Sequence, residues 1–150
     1  MFALCDANGF YAACEKVFNP SLRNKPVVVL SNNDGCVVAA CGITKGLDID
    51  FKFRPYFQIK RALDKAGVVA CSSNYELYAD LSQKMMVTCG RFAKDYHIYS
   101  IDECFLDFAD VYAYENNVQW MAMGSDIRQT VWRETRLPIG VGIGLTATLA

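Results

Sequence analysis

His97-Ile98-Tyr99-Ser100-Ile101-Asp102-Glu103-Cys104-Phe105-Leu106-Asp107-Phe108 sets an acidic pair between two short runs of strand-forming residues. His97–Ile101 and Cys104–Phe108 read as strands that flank Asp102-Glu103 at a tight junction. Upstream, Leu77, Tyr78, Leu81, Met85, Thr88 and Phe92 recur at helical spacing behind a cap at Ser73 or Asn74. Downstream, residues 117–135 carry Val118, Met121, Ala122 and Val131 in the same pattern, Ile139–Ile143 is a glycine-interleaved strand, and another helix begins at Thr146. At the start of the chain Met1–Cys5 is an apolar strand, and Phe10, Cys14, Val17 and Phe18 follow on one helical face behind Asn8 as cap. With residues 20–72 set aside, the order is strand, helix, strand, strand, helix, strand. That is the split βαβ, ferredoxin-like arrangement of an α+β domain. It places the first and third strands side by side and antiparallel in mid-sheet, so that the end of one meets the beginning of the other. Asp6 and Glu103 stand at those two points.

Residues 20–72 have their own pattern. Pro26–Leu30 and Cys36–Ala40 read as two strands of a hairpin joined by the polar turn Ser31-Asn32-Asn33-Asp34-Gly35. Pro55 opens a helix over 56–66 with Tyr56, Ile59 and Leu63 on one face, and Val68–Cys71 is a further short apolar run. Charge separates these regions: residues 21–67 hold eight bases against four acids, whereas 68–110 hold three bases against seven acids. A basic insert therefore lies between acidic neighbours.

The 150 residues are 53% hydrophobic and 21% charged, the balance of a soluble globular chain able to bury a core. Disordered, collagenous, repetitive and low-complexity classes are excluded. No apolar run approaches the roughly 20 residues of a membrane helix, and Asp6 comes too early for a signal peptide, so a cytoplasmic protein with no membrane partner is expected. Seven cysteines without a Cys-x-x-Cys pair suggest neither a disulfide framework nor a zinc site, and read as reduced, buried thiols. The net charge of −1 argues against gripping nucleic acid with the whole surface.

Three carboxylates gathered at one sheet edge repel one another unless a cation or a raised pKa relieves them. Hard oxygen ligands suit Mg²⁺ or Mn²⁺, and a two-metal pair is a known solution for in-line phosphoryl transfer. Taken singly, Asp6 reads as a strand-end acid and Asp-Glu as a common turn pair; their convergence is what points to a metal. Glu76, Asp80, Asp95, Asp107 and Asp110 have no such convergence and read as solvated faces.

Cys5-Asp6-Ala7-Asn8-Gly9-Phe10-Tyr11-Ala12-Ala13-Cys14-Glu15 resembles the opening motif of the Y-family, translesion DNA polymerases, and Tyr99-Ser100-Ile101-Asp102-Glu103 resembles their second carboxylate motif. Lys25–Ala39 and Ser72–Asp80 are similar to the UmuC branch, that of the catalytic subunit of bacterial DNA polymerase V. The resemblance covers essentially the whole chain. It implies a polymerase palm at 1–19 and 73–150, incomplete at its C-terminal end, and a small fingers subdomain at 20–72, with thumb and little finger absent. It implies DNA repair in the SOS response by two-metal transfer of dNTPs to a primer 3′-hydroxyl on primer-template DNA. Asp6, Asp102, Glu103 and the Ala7 carbonyl would hold two Mg²⁺ ions, or Mn²⁺. Asn8, Gly9, Phe10 and Tyr11 would shape the nucleotide pocket, with Tyr11 as the steric gate that rejects a ribose 2′-hydroxyl; from residue type alone, both aromatics read as core. By the same resemblance a UmuD-like dimer, a RecA filament and a sliding clamp are expected partners.

The sequence also departs from its family. Where many members carry a Tyr and an Arg that bind the incoming triphosphate, this chain has Gly42 and Lys45. Lys45 reads equally as a phosphate-binding point charge and as a surface lysine. A basic residue expected at Ala147, and a lysine expected after Ala150, are not in the chain. With those and the thumb missing, the isolated chain is expected to be inactive or very weak. Two competing readings stay open: another palm-type nucleotidyl transferase such as a cyclase, and a non-catalytic remnant that acts as an interaction module.

Overall fold

A computed structural model describes residues 1–109 and 119–150 of the chain, and these fall into two compact units. The first comprises Met1–Ala7 and Ala79–Ala150, the second Asn8–Tyr78. Val118 and Asp110, assigned above to a helix and a solvated face, lie outside the described residues.

In the first unit β1 (Phe2–Ala7), β5 (Asp95–Ile98), β6 (Glu103–Asp107) and β7 (Ile139–Gly144) form one sheet in the order β5-β6-β1-β7. β1 is antiparallel to both of its neighbours, and its register sets Asp6 opposite Glu103 on one side and opposite Gly140 on the other. The expected central pairing of the first and third strands of the split βαβ order is therefore present. Side chains alternate between faces: Ala3, Cys5, Ala7, Cys104 and Leu106 are buried, while Leu4, Asp6, Glu103 and Phe105 are only half-buried. Two helices border this sheet in sequence, α4 (Tyr75–Gly90), whose residues from Ala79 on belong to this unit, and α5 (Trp120–Thr135). Gly124 of α5 faces Val141 and Ile143 of β7, where a Cβ would make ordinary van der Waals contact.

The second unit holds α1 (Phe10–Phe18), a 3₁₀ turn at Pro20–Leu22, and a three-stranded sheet of β2 (Val27–Leu30), β3 (Val37–Ala40) and β4 (Val69–Ser72). The β2–β3 hairpin is as expected; β4 joins β2 in parallel, a crossover the short run Val68–Cys71 did not disclose. Helix α3 (Tyr56–Lys65) covers this sheet with Ile59 and Leu63, which pack with Val28, Val37, Ala40 and Val68. A one-turn helix, α2 (Gly42–Lys45), was not foreseen.

Some local expectations need correction. Asn8 does not cap α1: Gly9 is the cap residue, in the left-handed region at φ 59°, and no side chain satisfies the first amides. Strand β5 spans Asp95–Ile98 rather than His97–Ile101, and it stops at Ile98 because the Tyr99 and Ser100 amides both donate to the Glu103 carbonyl, closing a turn there. α4 ends at Gly90 rather than Phe92, and no helix starts at Thr146, where the Leu149 and Ala150 amides fold back to the Thr146 carbonyl in a turn. Asn74, not Ser73, supplies the cap of α4, accepting from the Leu77 amide at 3.2 Å. No helix among the described residues is long and apolar enough to cross a membrane.

Gly9 and Gly35 both sit at positive φ, 59° and 65°, but only at Gly9 would a Cβ collide, meeting the Ala40 carbonyl oxygen at 2.5 Å. Gly35→Ala is expected to cost about 1–2 kcal/mol, the penalty of the left-handed conformation for an L side chain. Gly9→Ala is expected to cost more than Gly35→Ala, and urea unfolding midpoints of the two variants measure the difference.

Candidate active site

Asp6 leaves β1 one residue before the strand ends, with Glu103 across from it at the start of β6. The turn between β5 and β6 supplies the third carboxylate. The Ala7 amide donates to the Asp102 carbonyl at 2.9 Å, which ties the backbone of this turn to the end of β1. Ser100 then organises the side chains: its hydroxyl lies 2.7 Å from Asp102 Oδ1 and 3.2 Å from Glu103 Oε2, and its oxygen accepts from the Asp102 amide at 3.4 Å. From the helical side, the Ser82 hydroxyl donates to the Ile101 carbonyl at 2.5 Å and holds the turn down.

The three carboxylates are half-buried rather than sealed. On the side of Asp6 away from Glu103 stands Gly140, which has no side chain to fill the space. The donor set is all oxygen, and one hydroxyl bridges two of its acids. Such a set fits hard divalent cations, with Mg²⁺ and Mn²⁺ ahead of softer ions.

The residues expected to form a nucleotide pocket lie in the second unit. Phe10 is buried, and Tyr11 half-buried. Tyr11 belongs to an aromatic cluster that sequence reasoning missed: its ring stacks on Tyr78 with centroids 4.5 Å apart and planes 16° apart, and meets Tyr75 edge to face at 6.0 Å. Tyr78 is fully buried, and its hydroxyl donates to Glu15 Oε1 at 2.7 Å. Burial, then the hydrogen bond to Glu15, pushes that hydroxyl well above the usual tyrosine range, so it stays a donor. Tyr75 and Tyr78 share a face of α4 by a spacing of three, and Tyr11 and Glu15 share a face of α1 by a spacing of four.

Lys45 is exposed at the end of α2. The turn is anchored beneath it: the Thr44 hydroxyl donates to the Val27 carbonyl at 3.0 Å, and Cys41 Sγ accepts from the Val27 amide at 3.3 Å. Burial raises the Cys41 thiol, but donors from the Thr44 side chain and backbone and from Val27 outweigh it and bring it down to about 7. Gly42 opens this helix and presents no side chain to a phosphate.

A third cluster was not foreseen at all. Cys5, Cys89 and Cys104 are fully buried, with their sulfurs all within 4.8 Å of one another. S–H donation towards Cys104 and burial push the Cys5 and Cys89 thiols up, and the same two donors pull Cys104 down.

Residues 5–150 match the impB/mucB/samB family. Protein UmuC of Salmonella typhimurium is 51% identical over 150 residues, all of this chain and 35% of that protein. DNA polymerase IV of Ureaplasma parvum is 25% identical over 148 residues, 97% of this chain and 40% of that protein. Among solved structures, a Dbh ternary complex with partially disordered substrates superposes with a TM-score of 0.83 at 25% identity, covering 100% of this chain and 43% of that one. The chain thus spans about a third of the length of the UmuC protein it matches.

Two outcomes test these local arrangements. Tyr78→Phe removes a partly buried hydrogen bond to a carboxyl group and is expected to lower stability by about 1.5–3 kcal/mol in denaturant unfolding. Because the folded Cys41 thiol, at about 7, lies below its ordinary value of 9.0, its contribution is full above pH 9 and lost as pH falls through 7. Stability should therefore rise between pH 7 and 9, and Cys41→Ala should flatten that rise in a pH series of thermal melts.

Proposed function

The chain belongs to the impB/mucB/samB family, and on that premise we propose that it forms the palm and fingers of a translesion DNA polymerase of the UmuC branch. The observation that carries the proposal is the Ser100 hydroxyl set between Asp102 and Glu103, with Asp6 directly across the sheet from Glu103. Residues 1–19 and 73–150 are assigned to the palm and 20–72 to the fingers, and the substrates are primer-template DNA and dNTPs.

Asp6, Asp102 and Glu103, with the Ala7 carbonyl, would hold two Mg²⁺ ions. Bound there, divalent ions lower the pKa of an attacking hydroxyl and neutralise triphosphate charge. The chain's own part is positional. The amide of Ala7 and the hydroxyls of Ser82 and Ser100 hold the acidic turn in place before any ion arrives. Tyr11 is assigned the exclusion of ribose. A gate must not yield, and the Tyr11 ring is backed by Tyr78, which is itself fastened through Glu15. Phe10, Asn8 and Gly9 shape the same pocket. Lys45 is assigned to the triphosphate as an exposed point charge. A UmuD-like dimer, a RecA filament and a sliding clamp are the proposed protein partners of the complete polymerase.

Mn²⁺ binding followed by electron paramagnetic resonance tests the acidic site on the chain itself. Asp6→Asn and Asp102→Asn are expected to abolish binding, and Ser100→Ala to weaken it about tenfold or more, as loss of a ligand-orienting group does. Joined in frame to the rest of Salmonella typhimurium UmuC, the chain should extend a primer with dNTPs, and Tyr11→Ala should admit rNTPs. Cyclic nucleotide formed from NTPs without a primer would overturn the polymerase assignment in favour of a cyclase.

A further inference from the structure

The strand pair that carries the carboxylates carries a second donor set on its other face. Asp6 pairs with Glu103, and in the next register position Cys5 pairs with Cys104. Successive residues of a strand project to opposite faces, so the two sulfurs lie on the buried side, where Cys89 of α4 meets them. All three cysteines are 0% exposed, and their sulfurs lie within 4.8 Å of one another. Among the described residues this is the one group of three or more His, Cys, Asp or Glu whose ligand atoms are so gathered, and it includes no fourth such donor.

That composition is selective. A structural zinc ion takes four ligands, with metal–sulfur bonds of about 2.3 Å. Three thiolates around a divalent ion also leave a net negative charge, and around a monovalent ion a larger one, inside an apolar core where uncompensated charge is costly. The occupant that suits the site takes three sulfurs, needs no fourth ligand and leaves no charge. Trivalent arsenic meets all three conditions. We propose that Cys5, Cys89 and Cys104 form a three-sulfur binding site for arsenite, independent of the polymerase reading.

The reaction balances without an oxidant. Neutral arsenous acid, As(OH)₃, exchanges its three hydroxyls for three sulfurs; each thiol proton leaves with a hydroxyl, so three As–O and three S–H bonds are replaced by three As–S bonds and three waters. Arsenic stays trivalent, and both the reagent and the adduct are uncharged. Access requires a local opening, and the position of Cys89 provides one, because it sits in the last turn of α4, next to the terminal Gly90. Helix ends open at lower free energy than the body of a fold.

The probe is sodium arsenite added to the reduced chain in the absence of oxygen. Native mass spectrometry is expected to show one arsenic per chain with the loss of three hydrogens, and the thermal midpoint to rise with arsenite concentration as ligand linkage requires. Cys36→Ala and Cys71→Ala, at the half-buried cysteines, should keep that uptake, whereas Cys89→Ala should lose the three-hydrogen adduct. X-ray absorption at the arsenic edge reads the site in the unaltered chain and does not depend on a variant folding. Three sulfur neighbours and no oxygen support the proposal. One or two sulfurs with oxygen retained, uptake that survives in Cys89→Ala, or tighter stoichiometric binding of Zn²⁺ by the same cysteines would each overturn it.

Discussion

The hydrogen bond from the Ala7 amide to the Asp102 carbonyl fixes where the acidic turn sits against β1. With the Phe108 amide bonded to the Met1 carbonyl at the other end, it sets the register of β1 on β6 over the whole strand. The placement of Asp6 against the acids of β6 follows from that register. It puts Asp6 beside Glu103, while the Ser100 hydroxyl reaches Asp102 and Glu103 from within the turn itself. A sheet backbone buried on one face has few alternatives, because its amides and carbonyls must be paired.

Much of this was legible in the residues. The order of strands and helices, the central pairing of first and third strands and the position of the three acids follow from hydrophobic patterning and one topological rule. The missing parts share a physical cause: they depend on contacts between residues distant in sequence. The parallel addition of β4 to β2 cannot be read from Val69–Ser72 alone, since a short apolar run names no partner. The Tyr11–Tyr78 stack joins two helices separated by more than fifty residues of chain, and nothing local distinguishes Tyr78 from a core aromatic. The cap of α1 failed for the same reason. Asn8 has the right chemistry, but Gly9 alone tolerates the close approach of the Ala40 carbonyl, so backbone space overrode side-chain preference.

The second unit solves a different problem from the first. Its sheet is small, and one core cluster gathers six buried aliphatic residues, Leu63 among them. Polar groups finish the job where strands end: Thr44 and Cys41 satisfy the carbonyl and amide of Val27, and the Ser73 hydroxyl satisfies the Leu30 carbonyl. These bonds hold loops that carry exposed basic residues without a large core beneath them. The division of charge along the chain acquires a structural meaning here, because the basic stretch 21–67 falls wholly within this unit and the acids of the carboxylate cluster wholly within the other. A net charge of −1 therefore describes neither part.

The cysteines show how far one register constrains chemistry. Once Asp6 is set opposite Glu103, Cys5 must oppose Cys104, so that pair was implicit in the sequence as soon as the carboxylates were paired; only Cys89 needed the fold. Alternation then sorts the donors by hardness, oxygen to the half-open face and sulfur to the closed one. A slip of one residue in either strand would invert that strand's assignment, burying a carboxylate among thiols and exposing a cysteine among acids. The unfavourable burial of charge that would result makes the two donor sets mutually reinforcing. The hydrated demands of the acids and the apolar tolerance of the thiols select the same register.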